Sequence, residues 1–208
     1  MIRIKAALIF GGVFLVLFGL GDLWFNLWSP ADPTPVDLAA LERGETTDAA
    51  YMEFGPHVAL FPHGISSTRG EGFDAQLEYI IYPIVSASHS DYHQFANFRF
   101  EGVDSFDNMP GFGSAAVLVL NYDYGHFLEV PQEFETRESM RGMSAGNFDS
   151  LNSNMRNAIK KHFPGQQYDK MIFITENQSP SLLRGILMLL GGLALIGVGA
   201  VMFLKMPT

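Results

Sequence analysis

Two apolar runs bracket this chain, and the stretch between them is polar and acidic. Residues 6–20 (AALIFGGVFLVLFGL) form the first run, extended by the aromatic-rich residues 23–28. Residues 182–204, interrupted only by Arg184, form the second. At ~1.5 Å rise per residue, each can cross a ~30 Å hydrocarbon core with modest tilt. The expected layout is a membrane helix at 6–28, an extracytoplasmic domain over 29–181 and a second membrane helix at 182–204. Residues 1–5 and 205–208 are then short tails.

Flanking charge orients the spans. Arg3 and Lys5 precede the first run and Lys205 follows the second, so the positive-inside rule puts both termini in the cytoplasm. Arg184 opposes this, but a single arginine near a span end can snorkel outward. Trp24, Phe25 and Trp28 read as an aromatic belt, with Asp22 and Asn26 at headgroup depth. Basic residues before an apolar run also open secretory signals. The bulky residues 21–28 (GDLWFNLW) lack the small side chains a peptidase requires, so an uncleaved anchor is expected.

Glycine spacing adds detail to the spans. Gly185, Gly192 and Gly199 recur every seven residues, as do Gly12 and Gly19. A seven-residue period keeps small residues on one stripe of a helix in a left-handed pair, where backbones approach closely. The five glycines are therefore the expected helix-packing interface, between the two spans or toward another subunit.

Charge and cysteine content narrow the function of the middle. Between the runs lie nine basic and 21 acidic residues, a net charge of −12. That balance excludes nucleic acid as a partner, because phosphate binding requires clustered Lys and Arg. With no cysteine, the chain forms no disulfide, thiolate metal site or cysteine nucleophile. The partners expected are the lipid bilayer and a membrane-protein partner, or self-association through the spans.

Local signals in the middle predict α+β with a mostly antiparallel sheet. Thr34 and Pro35 read as the N-cap and first position of a helix over 36–43, ended by Gly44. Strands are expected at 50–54, 57–61, 77–87, 95–100, 115–122 and 170–175, and loops at 62–72 and 105–114. Pro83 should place its strand at an edge or mark a bulge. Residues 147–163 carry the one long amphipathic helix, with Phe148, Leu151, Met155, Ile159 and His162 or Phe163 on one stripe.

No chemical motif is complete. His89 and His93 have helical metal-ligand spacing but read as loop residues, and His57, His63 and His126 are unplaced as a third ligand. All are expected to be surface histidines, dispensable for folding. The acids at 104–107 and 122–124 lack calcium-loop spacing. Gly142-Met-Ser-Ala-Gly146 matches the letters of a nucleophile elbow without its preceding buried strand, so Ser144 is expected to cap the following helix. Phe106, Phe112, Tyr122, Tyr124 and Phe127 are expected to be exposed or half-exposed. No catalytic, cofactor-binding or metal residue is assigned. The function expected is a non-enzymatic accessory, assembly or structural subunit of a membrane complex. The alternative is a small membrane-anchored hydrolase or metal-dependent enzyme using His and Asp/Glu.

Overall fold

The computed structural model describes residues 2–28, 31–70, 75–100 and 109–204, excluding the side chains of residues 2, 3, 5, 25–28, 182, 203 and 204. The acids at 104–107, Phe106 and Lys205 lie outside the described residues. Two compact units emerge, one comprising residues 1–31 with 180–208 and the other residues 32–179.

The first unit is a pair of apolar helices, α1 (Ile2–Trp28) and α5 (Leu182–Leu204). Both are long and apolar enough to cross a membrane. Most of their surface is uncovered: Phe10, Leu17 and Phe18 on α1 and Leu183, Leu187 and Leu190 on α5 are all exposed.

The second unit is α+β. Its strands are β1 (Thr34–Val36), β2 (Tyr51–Phe54), β3 (His57–Ala59), β4 (Ile65–Arg69), β5 (Gln76–Ser86), β6 (Val117–Asn121), β7 (Glu135–Arg137), β8 (Met140–Gly146) and β9 (Ile172–Glu176). They follow the order β1-β2-β8-β9-β6-β5-β3-β7, with β4 added beside β5. The sheet is mixed, which corrects the expectation of a mostly antiparallel one. β1 runs parallel to β2, and β6 parallel to β9. Parallel neighbours need crossovers, and both pairs have them. Residues 37–50 carry helix α2 (Leu38–Glu42) between β1 and β2, and residues 122–171 separate β6 from β9.

The sheet also curls. β2 runs into β3 through Gly55-Pro56, and β7 into β8 through Glu138-Ser139. The two bent segments pair along both halves, Phe54 opposite Met140 and His57 opposite Arg137. β5, β6 and β9 close the ring. One face therefore becomes an interior, filled by Phe54, Ala59, Tyr82, Ile84, Val119 and Ile174 among others, with Leu38 and Leu41 of α2 packed against it. The outer face is covered by α4 (Ser153–His162) through Met155 and Ile159, and by α3 (Tyr92–Asn97) through Phe95.

Several local expectations change. Thr34 and Pro35 belong to β1, where Pro35 lies on an outermost strand that tolerates its missing N–H. The cap of α2 is Asp37, whose Oδ1 accepts the Ala39 N–H at 3.0 Å. Residues 65–69, expected as loop, form β4; its Ser/Thr composition suits an exposed edge, and Ser67 and Arg69 both bond Glu78 across the pair. The segment expected as a strand at 95–100 begins inside α3. Its phenylalanines Phe95, Phe98 and Phe100 instead surround the Phe134 ring at 5.1–5.8 Å.

Pro83 lies in a central strand, not at an edge. Its carbonyl accepts Leu60 N–H, so its nitrogen faces the point where β5 changes partner from β3 to β4 across the 3-10 turn Phe61–His63. No ladder donor is needed there. The helix expected over 147–163 is broken, with a 3-10 turn Phe148–Ser150 followed by α4. Asn147 accepts Ser150 N–H and Asn152 accepts Met155 N–H, so each asparagine starts its own short helix. Phe148, Leu151, Met155, Ile159 and Phe163 remain on one buried face, while His162 is exposed.

Candidate functional site

Alternation along the strands carries polar side chains into the interior at one end of the curled sheet. Asn121 follows Val117 and Val119 on the inward face of β6, and Glu176 follows Ile174 on β9. Tyr82 lies between Ile80 and Ile84 on β5, and Arg137 reaches in from β7. Glu176 is 8% exposed and Tyr82 fully buried.

These groups converge on one carboxylate. Tyr82 Oη donates to Glu176 Oε2 at 2.5 Å, and Asn121 Nδ2 donates to the same oxygen at 2.6 Å. Arg137 Nη1 donates to Oε1 at 2.5 Å. The guanidinium also bonds Glu135 Oε2 through Nε and Nη2, at 3.0 and 2.8 Å, and lies 5.3 Å from the centre of the Phe61 ring. Burial pushes the Tyr82 hydroxyl well above its ordinary pKa, and the Glu176 charge adds to that. For Arg137, burial acts against the charge, but Tyr82, Glu176 and Glu135 outweigh it and raise the pKa. Tyr82 thus keeps its proton and Arg137 its charge at all ordinary pH. The cluster ties four strands together, and both Glu176 oxygens face donors from within the domain.

The opposite end is closed by a second carboxylate. Glu42, on α2, accepts Ser86 N–H at 2.7 Å and Ser86 O–H at 2.6 Å. Beside Ser86 in the ladder is His57, completely buried. Its Nδ1 bonds the Gly55 carbonyl at 2.8 Å, and its Nε2 has no hydrogen-bond partner. Burial lowers its pKa first of all, and Arg137 lowers it further. His63 is half-buried, stacked on Phe134 at 5.6 Å, with Nε2 at 2.9 Å from the Pro110 carbonyl. Both are more buried than the surface histidines expected: His57 begins the strand expected at 57–61, and His63 is on the turn inside an aromatic cluster.

The remaining candidates stay apart. His89 precedes α3 and accepts the Asp91 N–H through Nδ1 at 3.2 Å, while His93 is exposed on α3. Among the described residues, no group of three or more His, Asp or Glu is arranged to hold a metal ion. Ser144 is on β8, opposite Ile174, so it caps no helix; its Oγ accepts the Gly146 N–H at 3.2 Å. Asp123 accepts Asn177 Nδ2 at 2.8 Å. Tyr122 and Phe127 are exposed, while Phe112 and Tyr124 are half-buried.

In the helical unit the glycines meet one another. A β-carbon on Gly12 would lie 2.7 Å from the Gly192 carbonyl oxygen, and one on Gly192 equally close to the Gly12 carbonyl oxygen. One on Gly19 would lie 2.9 Å from the Gly185 carbonyl oxygen. The helices are antiparallel, and equal seven-residue steps place Gly12 opposite Gly192 and Gly19 opposite Gly185. Val16 and Leu23 of α1 fit against Gly192 and Gly185, and Gly199 is buried on the same stripe. Gly11, Gly21, Gly191 and Gly197 face open space. An apolar hollow of about 460 Å³ near the α1 C-terminus is lined by Leu17, Phe18 and Met188 and also by Asp22 and Arg184.

The chain matches no protein-family model, no curated protein and no solved structure.

Proposed function

We propose that the chain is a two-span membrane protein whose curled sheet domain is extracytoplasmic and serves as a non-enzymatic accessory, assembly or structural subunit of a membrane complex. The observation that carries this reading is the helical pair. Two apolar helices close on each other through backbone-to-backbone glycine contacts and leave Phe10, Phe14, Leu17, Phe18, Leu183, Leu187 and Leu190 uncovered. Such surface is stable in lipid or against another membrane protein, not in water. The interior of the sheet domain supports the non-enzymatic part. Its buried carboxylate is saturated by Tyr82, Asn121 and Arg137, and the Ser86 hydroxyl is bound to Glu42.

Gentle-detergent extraction followed by mass measurement tests the reading. A stoichiometric membrane-protein partner or a defined oligomer supports it, and a lone monomer under every mild condition overturns it. Orientation has its own test, because the chain has no cysteine. Single cysteines at Ser66 and Thr208 should react oppositely with an impermeant reagent on intact cells, with Ser66 labelled. Labelling at 208 alone reverses the topology.

A further inference from the structure

One surface of the sheet domain is apolar, rigidly braced and tied to the segment that leads into α5. After β6 the chain forms a tip over residues 122–129, ending in the 3-10 turn Phe127–Glu129. Leu128 is 94% exposed, Phe127 50% and Tyr122 48%. Such exposure in a floppy loop would mean little, but this tip is fastened from several sides. The Glu129 carboxylate accepts the N–H groups of Gly125 and His126 at 2.6 and 3.1 Å. The Gly125 carbonyl accepts Leu77 N–H at 3.0 Å, and Asn121 Oδ1 accepts Asp123 N–H at 2.8 Å. Val130, just beyond, is buried in the interior core. Collapse of Phe127 and Leu128 onto the domain would break this bracing.

The location identifies what covers the tip. Thr34, Met52, Gly142 and Glu176 form one cross-strand row through β1, β2, β8 and β9. β1 and β9 run in the same direction, so the connection to α5 leaves β9 past this row, while the connection from α1 enters β1 before it, on the other side. The tip follows Asn121, which adjoins Glu176, and Asp123 is bonded to Asn177, the first residue of the connection to α5. Five residues separate Glu176 from Leu182, and five separate Trp28 from Thr34. Fully extended, each connection reaches only about 20 Å. If α1 and α5 span a bilayer, the α5 connection keeps Glu176, and the tip beside it, within about 20 Å of the start of α5. The large apolar side chains exposed there are a leucine, a phenylalanine and a tyrosine, beside the exposed polar Asp123, His126 and Glu129, a mixture that suits the lipid–water interface. Asp123 and Glu129, the carboxylates at the tip, already have hydrogen-bond partners within the domain.

We infer that the tip formed by Tyr122, Phe127 and Leu128 inserts into the interfacial region of the lipid bilayer, giving the sheet domain a third membrane contact besides its two connections. This inference rests on the membrane-spanning reading of α1 and α5. Residues 122–129 contain no Lys or Arg, so insertion does not require anionic lipid.

The cysteine-free full chain allows a direct test. Single cysteines at Leu128, Leu190 and Glu45 are labelled with an environment-sensitive fluorophore, and each protein is placed in phosphatidylcholine nanodiscs. Leu190 is an exposed α5 position, and Glu45 follows α2 at the opposite end of the sheet. Phosphatidylcholines with a nitroxide at the headgroup or deep in the acyl chain then report depth by quenching. The expected result is strong quenching of the 128 label by the headgroup nitroxide, of the 190 label by the deep nitroxide, and of the 45 label by neither. Quenching at 190 without quenching at 128 overturns the inference and leaves the spanning reading intact. A blue-shifted but unquenched 128 label assigns the tip to a protein contact and also overturns it. Absence of quenching at 190 removes the spanning reading, and this inference with it.

Discussion

The helical pair and the curled sheet domain solve close packing in opposite ways. Between α1 and α5 the contact is made by removing side chains, so that Gly12 and Gly192 bring backbone against backbone. Inside the sheet, a full set of side chains fills the interior and a charged group is admitted because every partner is supplied. Glu176 receives Tyr82, Asn121 and Arg137 together. The difference predicts two kinds of fragility. Added bulk damages the first region, and a missing partner damages the second.

The largest expected effect is in the sheet. Replacing Arg137 by Met leaves the Glu176 carboxylate buried without its cation, a loss on the order of 3 kcal/mol. Chemical denaturation of the chain in detergent measures it. The decisive comparison is the double variant Arg137→Met with Glu176→Leu, which removes the stranded charge and should recover most of the loss. If the double variant is as unstable as the sum of the two single ones, the cluster is not a coupled unit.

In the helical pair the corresponding experiment adds volume. Gly192→Leu drives a side chain into the Gly12 carbonyl and Val16, with an expected cost of about 1–3 kcal/mol in hairpin stability. Gly191 is the adjacent residue but faces open space, so Gly191→Leu is the matched control and should be silent. Cross-linking between cysteines on α1 and α5 reports the contact. Equal behaviour of the two variants would mean that the glycine pairing does not hold the helices together.

A smaller effect separates hydrogen bonding from charge within the Glu176 cluster. Tyr82→Phe removes one donor, while Asn121 and Arg137 continue to bond the carboxylate. The expected loss is about 1 kcal/mol. A loss as large as that from Arg137→Met would make the tyrosine, rather than the arginine, the dominant partner.

The same contrast explains what could be read from the residues alone. The long apolar runs and the glycine spacing are local periodic signals, visible within a single segment. The apolar stripe Phe148, Leu151, Met155, Ile159 is equally visible, but its periodicity does not show that Asn147 and Asn152 each start a separate helix. The sheet order was not legible, because pairing β6 with β9 depends on a crossover of some fifty residues that leaves no local trace. Pro83 misled for the same reason: its missing donor is harmless only where β5 exchanges neighbours. Glu176 and Asn121 did carry a signal, each being a polar residue in phase with the inward apolar positions of its strand. His57 falls in the strand expected at 57–61, but nothing nearby in sequence distinguishes a buried strand histidine from an exposed one.

That histidine supplies the smallest predicted effect, and one that depends on pH. His57 Nδ1 donates to the Gly55 carbonyl, so the neutral ring carries its lone pair on Nε2. Protonation there would create a buried donor without a partner. Burial lowers the pKa, the Gly55 bond raises it in part, Arg137 lowers it, and Glu176 and Glu135 act in the opposite direction to Arg137. The folded chain therefore resists a proton that the unfolded chain accepts near the ordinary histidine value of 6.5. The stability contributed by neutral His57 is fully present above pH 6.5 and declines as pH falls below it, until the folded form also protonates. The slope approaches about 1.4 kcal/mol per pH unit for one whole proton. His63, also lowered mainly by burial, acts in the same direction. His57→Asn places an amide donor near the Nδ1 position without a titrating group. Melting temperatures between pH 7 and pH 5 should fall less steeply in this variant than in the parent chain, and less steeply still with His63→Asn added. Parallel slopes in all three proteins would assign the acid sensitivity to the carboxylates instead.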